Sequence, residues 1–159
     1  MDSQAFTLFH VAISLIAILC GLVVLYGLLT SNRMRGMTLL FLATTVATSV
    51  TGYFFHRSHI LPSHIVGAIS LAFLCTAIIA FYTFRLRGVW RVTYVVSAVA
   101  SLYLNIFVLI AQAFGKVPFL HALAPQGTEA PFLIAQAVVL VGFIILGFLA
   151  VGRFRPRPV

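Results

Sequence analysis

The sequence predicts an all-α fold: an integral membrane five-helix bundle with the N-terminus outside (periplasmic) and the C-terminus cytoplasmic. Three observations carry this expectation. Of the 159 residues, 62% are hydrophobic and only 8% are charged, against about 25% charged in a typical soluble globular chain. Five charge-free stretches, 6–30, 37–55, 65–84, 92–114 and 131–151, each come close to the roughly 20 residues that an α-helix needs to cross about 30 Å of hydrocarbon. The arginines, finally, fall in alternate connections, so that they gather on one side once the stretches are read as spans. Lipid offers no partner to a bare amide or carbonyl, so each stretch must be helical or belong to a closed barrel. Continuous apolar runs lack the two-residue alternation of a barrel strand.

The first span follows the leader "MDSQAF", which carries an aspartate and no lysine or arginine. Its apolar run is too long for a secretory signal core, so it reads as a retained helix. Cys20 here, and Cys75 in the third span, lie near mid-helix, where a thiol behaves as a small apolar side chain. Neither a disulfide nor a cysteine metal framework is expected. The second span places Thr44, Thr48 and Thr51 on one stripe and Thr45, Ser49 and His56 on its neighbour. The third opens on Pro62, Ser63 and His64, a proline and N-cap pair that starts a helix well. The fourth, "VTYVVSAVASLYLNIFVLIAQAF", carries Ser97, Ser101, Asn105 and Gln112 at spacings that keep them on one face, which predicts that this face looks inward. The connection "GKVPFLHALAPQGTEAP" is too apolar for a simple solvated loop and is expected to lie at the interface or to fold over the bundle mouth. The fifth span brings Gln136 in at its outer end.

Orientation follows from Arg33 and Arg35 in the first connection, Arg85, Arg87 and Arg91 in the third, and Arg153, Arg155 and Arg157 in the tail. Only Arg57 and Lys116 fall on the other side. The positive-inside rule puts the larger group in the cytoplasm. The formal net charge of +8 is then explained by topology and by anionic lipid, and nucleic acid is not an expected partner. The expected surroundings are the lipid bilayer, with room for a membrane-protein partner or a second copy of the chain.

The same topology places all five histidines, His10, His56, His59, His64 and His121, at the outer face with Lys116. His10 stands about one turn inside the first helix, His56 closes the second, and His64 opens the third. A short connection makes the second and third helices antiparallel neighbours, so His56 and His64 should reach a common site that His10 could join. Axial imidazoles from different helices suit haem b, with His10, His56 and His64 as the candidate metal ligands. A quinone would instead need an apolar slot ending in a histidine and a carboxamide or hydroxyl. His10 or His64 with Tyr103, Asn105 and Gln112 could supply this, with His121 brought near by its connection. Zinc or copper could use the H-x2-H-x4-H run from His56 to His64. The expected function is therefore a small redox or cofactor-binding module of the inner membrane. The alternatives are a non-catalytic accessory subunit whose polar stripes serve helix packing, and a carrier or sensor of a metal or small ligand on the outer side.

Length, five spans and an outside N-terminus resemble the tryptophan-rich translocator proteins. Trp90 is the only tryptophan of this chain, so no residue of that family's motif carries over. Phosphate-binding glycine loops, H-E-x-x-H and G-x-S-x-G are absent from the sequence. Neither acidic residue, Asp2 or Glu129, lies within a span, which disfavours a carboxylate-driven pump.

Overall fold

A computed structural model describes residues 4–54 and 62–155, and all the regular structure among them is helical. The elements are α1 (Gln4–Leu29), α2 (Arg35–Gly52), α3 (Pro62–Ile78), a π-helical turn that ends α3 (Ile79–Thr83), α4 (Val89–Lys116), the short α5 (Pro118–Leu123) and α6 (Ala130–Arg153). Four helices are long and apolar enough to cross a membrane: Gln4–Leu29, His64–Thr83, Val89–Lys116 and Ala130–Arg153. The 18-residue α2 is not among them. Thr38, Thr44, Thr45, Thr48, Ser49 and Thr51 make it the least apolar of the long helices, although it is helical throughout and belongs to the bundle.

Neighbouring helices enclose one core. α1 packs on α2 in the most extensive contact of the bundle, α2 also packs on α3 and α3 on α4, and α4 closes the ring against α1; α6 lies outside it, against α4 and α1. Phe41, Leu74, Ala77, Tyr94, Val95 and Leu102 are almost wholly buried at the centre. The closest approach is at Gly21. A Cβ there would stand 2.5 Å from Leu102 Cδ1 and 2.9 Å from Phe41 Cε2, so only a glycine lets α1 come this near to α2 and α4. On α6 only Gln136 and Ala150 are buried, while Leu133, Ile134, Val138, Val141, Ile145 and Phe148 all face outward, as an apolar surface bathed in lipid would.

One end of the bundle gathers arginines. α1 ends in a Schellman motif, with Asn32 N–H donating to Gly27 O at 2.8 Å and Ser31 N–H to Leu28 O at 3.4 Å; Ser31 takes the left-handed conformation, φ 57°, that usually falls to glycine. Arg33 then lies over the Phe81 ring, 4.7 Å from its centroid. Phe81 belongs to the π-helical turn. The chain's last described residues return to this end: Phe154, 1% exposed, enters the core beside Tyr94. Arg91 donates from Nη1 to the carbonyls of Val151 and Phe154, and Arg155 N–H donates to Ser31 Oγ at 2.8 Å. An arginine on the last carbonyls of a helix satisfies acceptors that the helix itself cannot.

Candidate functional site

The opposite end carries the described histidines. His10, on α1, places Nδ1 2.8 Å from Thr51 Oγ1 on α2. The Thr51 hydroxyl also lies 2.7 Å from Ala47 O, an acceptor with no hydrogen to give, so when the threonine proton is on Ala47 it is His10 Nδ1–H that donates to Thr51. In the neutral ring the lone pair then sits on Nε2. Ser14 Oγ donates to His10 O at 2.7 Å. The imidazole lies against the end of α2, its Cε1 3.8 Å from where a Cβ on Gly52 would be. Lys116, at the end of α4, is within electrostatic reach.

His64 meets the same end of α2 through a different residue. Its ring stacks on Tyr53, with centroids 5.4 Å apart and planes 13° from parallel, while Tyr53 OH donates to His64 O at 2.7 Å. Gly67 gives the tyrosine room, since a Cβ there would come within 3.3 Å of its ring and hydroxyl. Thr51 and Tyr53 are two residues apart, about 200° around a helix. His10 and His64 therefore bear on different sides of the α2 end. His56, expected to share their site, and His59 lie outside the described residues.

The polar residues within the helices find one another. Asn105 Nδ2 donates to Thr45 Oγ1 at 3.3 Å across α4 and α2, Ser49 Oγ to Ser70 Oγ at 3.4 Å across α2 and α3, and Ser101 Oγ to Ser97 O at 2.9 Å along α4. Tyr94 OH and Thr38 Oγ1 are 3.2 Å apart. Gln136 Nε2 donates to Phe107 O at 3.1 Å, whereas Gln136 Oε1 and Thr48 Oγ1 are buried with no hydrogen-bond partner among the described residues. Gln112 continues the Asn105 stripe, but its side chain is exposed, while Phe114, two residues on, is buried against Phe132. Tyr103 leans between Phe107 and Phe143 at centroid distances of 6.2 and 5.8 Å.

The connection beyond α4 forms α5, on which His121 is exposed, and closes with Glu129. Its carboxylate accepts the amides of Gln126 and Thr128, both at 3.0 Å. These bonds favour the charged form and hold the glutamate pKa below its ordinary value, the Gln126 amide contributing most. Among the described residues no three His, Cys, Asp or Glu side chains gather as a metal-binding set. Cys20 and Cys75 are unpaired thiols.

The structure thus brings His10 and His64 to one helix end, joins Asn105 to Thr45 rather than to a histidine, and leaves Gln112 and His121 on the surface. Thr51 and Tyr53, the direct neighbours of the two histidines, did not stand out in the sequence. Thr51 was visible only as a member of a threonine stripe, and which of its neighbours it would meet depends on how α1 crosses α2. Comparison with known proteins adds no relative: no family model, no curated protein and no solved structure matches the chain.

Proposed function

We propose that the chain is a five-span cofactor-binding protein of the bacterial inner membrane, N-terminus outside, that holds haem b or a quinol-type ligand in its outer half. Counting α2 as the fifth span is supported by the arginines. Arg33, just before α2, feels the charges of Arg35 and Arg85, so the first and third connections adjoin, which supports reading α2, like α3, as running the length of the bundle. With Arg33, Arg35, Arg85, Arg87, Arg91, Arg153 and Arg155 together, the positive-inside rule puts that end in the cytoplasm and the histidine end outside.

The observation that carries the ligand reading is the His10–Thr51–Ala47 chain of hydrogen bonds. A metal-bound histidine almost always donates its other ring N–H to a fixed acceptor, which sets tautomer and ring angle. In the tautomer that donates Nδ1–H to Thr51, His10 has this arrangement. The same tautomer discriminates between redox states of a quinone. A neutral Nε2 can take a hydrogen bond from a quinol hydroxyl and has none to give to a quinone carbonyl. Haem b would supply one-electron transfer, and His10 is the described residue that would hold it; His64 bears on the other side of the α2 end.

The absorption spectrum of the purified protein tests this. A Soret band, with α and β bands after reduction, is expected in the wild type and lost in His10→Ala, and binding should weaken as the solution is acidified because a ligand imidazole must be neutral. For a quinol the corresponding readout is extractable quinone, again lost in His10→Ala. A colourless, quinone-free protein that takes up neither added haem nor added quinol would overturn the proposal. The accessory-subunit reading then gains, and the Asn105–Thr45 and Ser49–Ser70 pairs favour it, since both use polar groups to join helices within the bundle.

A further inference from the structure

We propose that the arginine end is a docking surface for anionic phospholipid, whose phosphate is taken between the connection that carries Arg33 and Arg35 and the one that carries Arg85 and Arg87. These two connections and the tail meet at one end of the bundle. Arg33 feels the charges of Arg35 and Arg85, and the backbone at Arg155 is tied to Ser31. Of the described arginines here, Arg91 is engaged with the carbonyls of Val151 and Phe154, and Arg33 rests on Phe81 with its Nε buried and without a hydrogen-bond partner among the described residues. Burial, then repulsion from Arg35 and Arg85, pulls the Arg33 pKa below its ordinary value, as expected where cations crowd without a counter-charge.

The described residues do not supply that counter-charge. The chain's only carboxylate side chains are Asp2 and Glu129, and Glu129 is committed at the opposite end to the amides of Gln126 and Thr128. Two long helices, α2 and α4, begin at the arginine end with no acidic residue in the first turn and no side-chain cap, so their dipoles add to the positive potential. An anion from outside would balance this end. Directly beside the patch lie exposed apolar side chains, Leu39 and Leu40 on α2, Tyr82 and Phe84 after α3, and Val89 on α4. A phosphate bonded by planar guanidinium groups with an apolar flank alongside describes a phospholipid, whose acyl chains continue down the bundle. A free phosphate or a nucleic acid would leave that flank bare.

The full-length protein in mild detergent is mixed with palmitoyl-oleoyl phosphatidylglycerol or with the zwitterionic phosphatidylcholine of the same chains, and retained lipid is counted by native mass spectrometry. Wild type should retain phosphatidylglycerol in preference. The triple change Arg35→Gln, Arg85→Gln, Arg87→Gln should weaken that retention roughly a hundredfold. Lys116→Gln, at the other end, should leave it unchanged, and the corresponding triple change to Lys should keep most of it. Helical content and melting in detergent confirm that each variant is folded; if the Gln variant does not fold, Arg87→Gln alone is used, with a smaller loss expected. Equal retention of the two lipids, or full retention by the Gln variant, overturns the proposal. Inorganic phosphate that displaces the lipid and raises the melting temperature as much would assign the surface to free phosphate instead and overturn the proposal.

Discussion

Thr51 illustrates how much rests on one hydroxyl. It accepts from His10 and donates to Ala47 in the same α-helical turn, so Thr51→Val keeps the shape and removes the acceptor. If His10 is a ligand, this change should cost 10- to 100-fold in ligand affinity, the usual cost of losing such a partner, with Thr51→Ser close to wild type; a binding titration on the two variants reads the difference. Phe154 is the corresponding residue of the other end. Its side chain is 1% exposed, whereas Phe148, on α6 before it, is 76% exposed. Phe154→Ala should lower stability in detergent by about 3–5 kcal/mol, the range for emptying a buried aromatic site, and Phe148→Ala should leave the melt unchanged. Glu129 gives a pH signature. Its folded pKa is depressed below 4.5 by the Gln126 and Thr128 amides, so the clasp is fully formed above that value and is lost as pH falls through the lower, folded one. The amide proton shifts of Gln126 and Thr128 should titrate together below pH 4.5, and Glu129→Gln should abolish the transition.

At the scale of elements, the bundle depends on how closely α1 can approach α2 and α4. Gly21→Ala puts a methyl within 2.5 Å of Leu102 Cδ1 and 2.9 Å of the Phe41 ring. Phe41 is itself wedged in the core, so the contact has little room to relax and a loss of about 1–3 kcal/mol is expected. Gly142→Ala, on α6 with nothing within 4 Å of the added atom, is the control, and thermal melts of both proteins in one detergent compare them. The π-helical turn Ile79–Thr83 has a local role of the same kind. Its wider winding, with Phe84 N–H bonded to Ile79 O and Leu86 N–H to Ala80 O, ends α3 with Phe81 in the core and under Arg33.

For the whole molecule, charge and polarity are segregated along the bundle axis. Arginines from three separate segments share one end, and His10, His64, Lys116 and Glu129 lie at the other, so each end meets a different chemical environment across a single membrane. The five-span topology has a direct check: a reporter fused after Val159 should be active only in the cytoplasm and one placed before Met1 only outside. Both termini on one side would require an even number of crossings and would exclude α2 as a span.

Composition alone was enough to determine that this chain is helical and lives in lipid, because backbone groups in hydrocarbon have no alternative to internal bonding and the apolar stretches have helical length. The places of the arginines and histidines, in alternate connections and at helix ends, were equally legible, since they follow from counting along the chain. Asn105 marks where that legibility stops. Periodicity put it on an inward face with Ser101 and Gln112, yet whether it met a ligand or Thr45 depended on the rotation of α2 against α4, and at the level of Gln112 it is Phe114 that packs inward while Gln112 is exposed. The same holds for His10 and Thr51, for Tyr53 over His64 and for Phe154 returning to the core. Each joins residues far apart in sequence, and only the crossing of helices brings them together. Periodicity fixes which side of a helix a residue occupies; the neighbour that it finds there is a property of the packed whole.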